Sequence, residues 1–177
     1  TIAGFAPLSG PTGTLVTITG TGFGTTPTTN AVTFNGLAAT VVAAAVILPQ
    51  EGIGEKLFDS KQISSKKREQ LYKTIFAEAE GVGIGIIGQE EIDRINILQA
   101  TLKAMALAIN NLPRPPDFIL IDGSQGLTLP IPQKPIRKGD RLCNCIAAAS
   151  IIAKVTRDRM MLECHQKYPQ YNFARHK

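Results

Sequence analysis

The first fifty residues contain no Lys, Arg, Asp or Glu, and every charge lies from Glu51 onward. That absence excludes carboxylate, lysine or arginine chemistry from the N-terminal part, which reads as scaffold. It also divides the chain into two unlike pieces joined near Thr40–Val42. Long hydrophobic runs are missing too. The longest, Val41–Leu48, is far shorter than the roughly 20 residues that span a bilayer, so no membrane is expected as a partner. The start, Thr1-Ile2-Ala3-Gly4, lacks the basic region of a signal peptide, and Thr1 and His176-Lys177 read as the ends of a cut fragment. Cys143, Cys145 and Cys164 are odd in number and lack zinc-ligand spacing, which points to reduced thiols. The net charge of +5 sits wholly on the C-terminal part, where it suits either an anionic partner or an ordinary solvated surface.

Residues 1–48 have the pattern of β-structure. Thr14–Thr19 alternates small polar and branched apolar residues, the period of a half-buried strand. Gly20, Gly22 and Gly24 predict a turn, Ala31–Asn35 a second strand and Thr40–Leu48 a third. Phe5-Ala6-Pro7-Leu8-Ser9-Gly10-Pro11, Val16-Thr17-Ile18-Thr19-Gly20-Thr21-Gly22-Phe23-Gly24 and Val32-Thr33-Phe34-Asn35-Gly36 resemble the opening half of an IPT/TIG immunoglobulin-like domain. Such domains are sandwiches that serve as spacers or protein-binding modules. The resemblance covers residues 1–42, so the strands that complete the sandwich are not supplied.

From Val41 the rhythm changes to alternating strands and helices. Ser64 or Ser65 caps a predicted helix to about Glu80, with Leu71, Ile75 and Ala79 on one face. Val82–Ile87 reads as a strand, and Gln89–Asn110 as a helix with Ile92, Ile95, Leu102, Met105 and Ile109 toward a core. Phe118–Asp122 reads as a buried strand, followed by a Pro-rich loop to Ile136 and a helix over Asn144–Tyr168. This order predicts an α/β core with helices on a mixed sheet.

Gly83-Ile84-Gly85-Ile86-Ile87-Gly88 fits the G-x-G-x-x-G pattern of dinucleotide sites. Its glycines lie inside a strand rather than in the turn after one, and no acid closes a following strand about 20 residues on, so that reading is set aside. Asp122 and Asp140 form the sharper constellation. Asp122 ends an apolar strand before Gly123, and Asp140 follows Lys138-Gly139 and precedes a helix. By spacing alone these are catalytic carboxylates, or a turn residue and a helix-dipole partner. Lys134, Arg137, Lys138 and Arg141 surround them with positive charge, which suits a phosphodiester backbone or a solvated loop.

Leu120-Ile121-Asp122-Gly123, Leu129-Pro130-Ile131-Pro132-Gln133-Lys134, Lys138-Gly139-Asp140 and the run Ile146–Arg159 resemble ribonuclease HII. Val42–Pro49, Asp59-Ser60-Lys61, Glu91–Thr101 and Tyr168-Pro169-Gln170-Tyr171 extend the likeness over residues 41–177. The resemblance implies a ribonuclease H fold and cleavage of RNA strands in RNA/DNA hybrids, with four carboxylates holding Mg²⁺ or Mn²⁺. Two of the four map onto Asp122 and Asp140, as catalytic and metal-binding residues. Lys61, Lys138 and Arg141 map to the nucleic-acid side. The other two carboxylates, an Asp-Glu ahead of a Gly-Arg-Gly turn, should stand immediately before Val41. Phe34–Thr40 stands there instead, with no acid and no arginine. Asp59 is the nearest acid that could substitute.

The resulting fold expectation is an α/β, ribonuclease H-like mixed sheet with helices, preceded by an all-β IPT/TIG fragment, with the seam between residues 40 and 41. In the resembled fold the missing first strand is central, so its loss should split the sheet. Ala31–Asn35, pairing with Thr40–Leu48 as a hairpin, is one expected replacement. Strand exchange in a homodimer is the other. The functional expectation is an engineered or recombined chimera of a cytoplasmic parent that folds without catalysis. The alternative is residual metal-dependent hybrid binding or weak endoribonuclease activity.

Overall fold

A computed structural model describes residues 2–6, 17–20, 40–54, 57 and 63–175. The chain divides into two compact units, Thr1–Gly36 and Leu37–Lys177. In the first, strands β1 (Ile2–Ala6) and β2 (Thr17–Gly20) pair antiparallel, with an irregularity between Ile2 and Gly4. Gly20, expected in a turn, instead closes β2 opposite Ile2. β1 had no counterpart in the sequence reading. Ala31–Asn35, the expected partner of the third strand, lies outside the described residues, as do Asp59 and Lys61.

The second unit opens with β3 (Val41–Ile47), paired antiparallel and in unbroken register with β4 (Gly81–Ile87), from Val41 opposite Ile87 to Ile47 opposite Gly81. Between them runs α1 (Ser65–Glu78). Ser64 is its N-cap, accepting a hydrogen bond from the Lys67 amide at 3.2 Å, the role that serine favours. Leu71 and Ile75 are fully buried, and Ala79 packs against the same cluster.

β3 is apolar on both faces because it is a filling between helices. Val41, Ala43 and Ala45 pack toward α2 (Gln89–Asn110). Ala44 and Val46 pack toward α1 and α3 (Asn144–Lys167), beside Ala147, Ala148, Ile151 and Ile152. α2 presses on β4 through Ala100, Ala104 and Ala108, all fully buried. This small-residue stripe, rather than the larger side chains singled out in the sequence, makes the closest approach. A Cβ on Gly83 would lie 2.0 Å from the Ala108 carbonyl oxygen, and one on Gly85 2.0 Å from that of Ala104. The glycine pattern is therefore a packing groove for a helix backbone, and the dinucleotide reading has no turn to stand on.

α2 is kinked where the sequence showed one continuous helix. Asn96 has φ 70°, ψ 166°, and its Oδ1 accepts from the amides of Leu98 and Gln99 at 3.0 and 3.1 Å. It acts as an N-cap inside the helix, because asparagine tolerates positive φ and its short carbonyl reaches the next turn. The kink lets Glu91 meet Lys103, twelve positions later, as well as Arg94. In a straight helix Glu91 and Lys103 would be about 18 Å apart along the axis.

A second pair, β5 (Ile119–Asp122) with β6 (Gln133–Ile136), is parallel. β6 was expected to be loop because it contains Pro135. Proline lacks the amide that a central strand needs but fits an edge strand, and no further strand joins β6 among the described residues. Ile119 and Ile121 pack with Ile109 of α2 and with Leu127. Among the described residues, the strands of this unit form two pairs, β3–β4 and β5–β6.

Candidate functional site

Asp122 is the last residue of β5 and is exposed. Its Oδ1 accepts a hydrogen bond from the Gly139 amide at 2.9 Å. Beyond it the chain turns through Gly123 at φ +133°, a conformation that favours glycine. The Gly123 amide is held by the Ile136 carbonyl at 3.0 Å. Lys138 adopts a left-handed conformation, φ 56° and ψ 41°, and starts a 3-10 turn over Gly139–Arg141 that leads toward α3. Gly139 is buried, and a Cβ there would lie 2.5 Å from Ile146 Cδ1. Its carbonyl accepts from the amides of Leu142 and Cys143.

This arrangement brings the backbone just before Asp140 to the end of β5, where Asp122 stands. Asp140, half-buried, follows the residue whose amide holds Asp122. The Gly139 amide is the positioning group that sequence reasoning missed; the available signal was the Lys-Gly-Asp run itself. Lys138 and Arg141 flank Asp140 and are exposed, as are Lys134 on β6 and Arg137 after it. Three of the six residues from Lys134 to Gly139 are thus basic and exposed, on β6 or just after it. Lys61, the remaining predicted contact residue, lies outside the described residues.

Among the described residues, no group of three or more His, Cys, Asp or Glu is placed to hold a metal ion. Two carboxylates match part of one Mg²⁺ shell, with water and a phosphate completing it. They do not supply a four-carboxylate set, and one Asp122 oxygen is already engaged by Gly139. The described residues therefore do not fit a complete two-ion centre. The cysteines are free. Burial, and then the neighbouring Cys143, push the Cys145 thiol above its ordinary range, so it stays protonated and poorly nucleophilic.

No described helix is long and apolar enough to cross a membrane. The surface beside Asp122 continues into a cleft of about 560 Å³ between the two strand pairs.

Comparison with known proteins gives two matches along the chain. The IPT/TIG domain model matches residues 1–50, and the ribonuclease HII model matches residues 36–177. Ribonuclease HII of Geobacter metallireducens is 55% identical over 141 residues, 80% of this chain and 66% of that protein. The enzyme of Acetivibrio thermocellus is 55% identical over 80% of this chain and 55% of its own length. The chain thus spans between about half and two thirds of these relatives. Among solved structures, ribonuclease H2 from Pyrococcus horikoshii superposes with a TM-score of 0.60 at 24% identity, covering 73% of this chain and 77% of that one. Ribonuclease HII of Archaeoglobus fulgidus, solved in complex with PCNA, gives 0.57 at 21% identity, covering 73% and 70%. These superpositions carry the fold, and the family model, covering most of the chain, carries the membership: this chain belongs to the ribonuclease HII family.

Proposed function

We propose that the chain is a ribonuclease HII-derived chimera, with residues 1–40 of IPT/TIG type and 41–177 of nuclease type, that does not cleave RNA/DNA hybrids. The supporting observation is the site's donor set. The amide of Gly139, the residue before Asp140, holds Asp122 at the end of β5, and no group of three or more His, Cys, Asp or Glu is placed to hold a metal among the described residues. Hydrolysis by a metal pair needs both ions held rigidly against the attacking and leaving oxygens. Two carboxylates hold at most one ion loosely, which costs orders of magnitude in rate.

A second reading, residual binding of hybrid duplex, is favoured by one observation. Lys134, Arg137, Lys138 and Arg141 are all exposed around Asp122, and such a cluster attracts a phosphate backbone in a salt-dependent way.

The test is cleavage of a duplex containing one ribonucleotide, with Mg²⁺ and then Mn²⁺, against the Asp122→Asn variant. The expected outcome is no cut above that variant. Metal-dependent cutting that Asp122→Asn abolishes would refute the proposal. Binding of the uncut duplex that weakens steeply with salt supports the second reading.

A further inference from the structure

Two thiols stand where α3 grips the turn behind Asp122. Cys143 is the N-cap of α3 and Cys145 its second residue; both are free and half-buried. Burial first, and the charge of Cys143 second, raise the Cys145 thiol, so the two sulfurs are near enough to feel each other. Cys164, the third cysteine, lies nineteen residues further along the same helix, about 28 Å from Cys145. The first turn of α3 holds Gly139 in two independent ways. The Cys143 amide donates to the Gly139 carbonyl at 2.8 Å, and Ile146 Cδ1 sits so close that a Cβ on Gly139 would lie 2.5 Å from it. The Gly139 amide in turn donates to Asp122 Oδ1 at 2.9 Å. A main-chain change between Cys143 and Ile146 therefore reaches the Asp122 carboxylate through Gly139 alone. A bond between the two sulfurs requires such a change. Cα atoms two residues apart are within about 7 Å, near the span of about 4.4–6.8 Å that a disulfide bridges, but the Cβ atoms must also approach to about 3.5–4.5 Å. Cys143 is extended, with φ −134° and ψ 124°, whereas Cys145 lies inside the helix. Side chains two apart at a helix start point about 200° apart around the axis, so the bridge closes only if the first turn of α3 opens.

We propose that Cys143 and Cys145 are a reversible thiol–disulfide pair, and that closing it releases Gly139 from Asp122. The oxidant is a low-molecular-weight disulfide. The Cys143 thiolate attacks one of its sulfurs and displaces the first small thiolate. Cys145 then gives up its proton, attacks the Cys143 sulfur of the mixed disulfide and displaces the second. The two protons lost by the cysteines end on the two small thiols, so one disulfide is consumed and one is formed. Cys143 attacks first because Cys145 is held protonated. A bridge that must open a helix turn to form is readily reduced again, which is the behaviour of a regulatory disulfide rather than a structural one. The pair is independent of the nuclease reading, because its readouts are thiols and amides rather than cleavage.

The test equilibrates the full chain with mixtures of oxidised and reduced glutathione and counts free thiols by alkylation and intact mass. Amide hydrogen exchange is followed at Gly139 and Cys143. The expected result is a fall from three free thiols to one, that of Cys164, with no glutathione retained. Exchange at both amides should quicken by about tenfold or more as the turn opens, and reduced glutathione should restore it. Cys164→Ser should respond as the unsubstituted protein does. Cys143→Ser, whose serine is itself a favoured N-cap, and Cys145→Ser should show no quickening. Four results overturn the proposal. These are glutathione retained on the chain with no internal bridge, a bridge whose yield rises with protein concentration and so joins two chains, an internal bridge that leaves both amides unchanged, or quickening in either of those two serine variants.

Discussion

Replacing Gly83 or Gly85 with alanine sets two effects against each other, and the geometry decides between them. Glycine to alanine in a compatible strand position stabilises by about 0.4–1 kcal/mol, since the unfolded chain loses freedom. Here the added methyl would stand 2.0 Å from the Ala108 or Ala104 carbonyl oxygen, with further backbone atoms at 2.8–3.1 Å. Ordinary contact begins near 3.4 Å, so α2 must withdraw by about 1.4 Å. The obstacle is helix backbone rather than a movable side-chain tip. Overpacking costs about 1–3 kcal/mol and occasionally more, and a rigid helix belongs at the upper end. Each variant should therefore be destabilised by about 2 kcal/mol or more. Gly88→Ala is the control in the same motif. A Cβ there meets nothing within 4 Å, and its N-cap position costs under about 1 kcal/mol. Urea unfolding read by circular dichroism, with unchanged slope, measures all three. If Gly83→Ala and Gly85→Ala unfold within about 0.5 kcal/mol of the unsubstituted protein, the close helix–strand packing is wrong.

Ser64→Ala removes the cap of α1 and should cost about 1 kcal/mol in the same assay. A loss below about 0.3 kcal/mol would mean that the hydroxyl is not the cap. Asn96→Ala loses two capping bonds and forces alanine into positive φ, so about 2 kcal/mol is expected. Asn96→Gly should recover about half of that, and equal losses would argue against backbone strain. Hydrogen bonds from Arg94, and then Lys103, hold the Glu91 carboxyl down to about 2 from an ordinary 4.5. Its ion pairs therefore contribute fully above about pH 4.5 and are lost as pH falls through about 2. Carbon-detected NMR titration should show that midpoint, and Arg94→Ala should raise it more than Lys103→Met; an unmoved midpoint in both would refute the assignment.

Local signals were legible wherever one residue decides one element. Ser64 marked the start of α1, the period of Leu71 and Ile75 marked its buried face, and the bounds of α2 were read as Gln89–Asn110 from the sequence alone. Asp122 and Asp140 were picked out by their position at element ends, and the fold ties Asp122 to Gly139, the residue before Asp140. The readings that failed concern neighbours far away in the chain. Pro135 looked like loop because proline's missing amide is visible in sequence, whereas the edge position that excuses it is not. Asn96 looked like ordinary helix because its role as an internal cap depends on the main-chain angle there.

The sequence by itself determined the charge-free N-terminal part, the alternation of strands and helices after Val41, and the family to which the longer part belongs. Each of these depends on composition, period or motif, which need no knowledge of contacts. Tertiary structure alone decided what the glycines are for and which distant segments share a cleft. Gly83 and Gly85 serve α2, because Ala104 and Ala108 arrive from some twenty residues away. Val42–Ile47 and Ile119–Asp122 line one cleft although they lie far apart in the chain. Hydrogen-bond partners across a sheet are set by distance in space, which the order of residues along the chain does not encode.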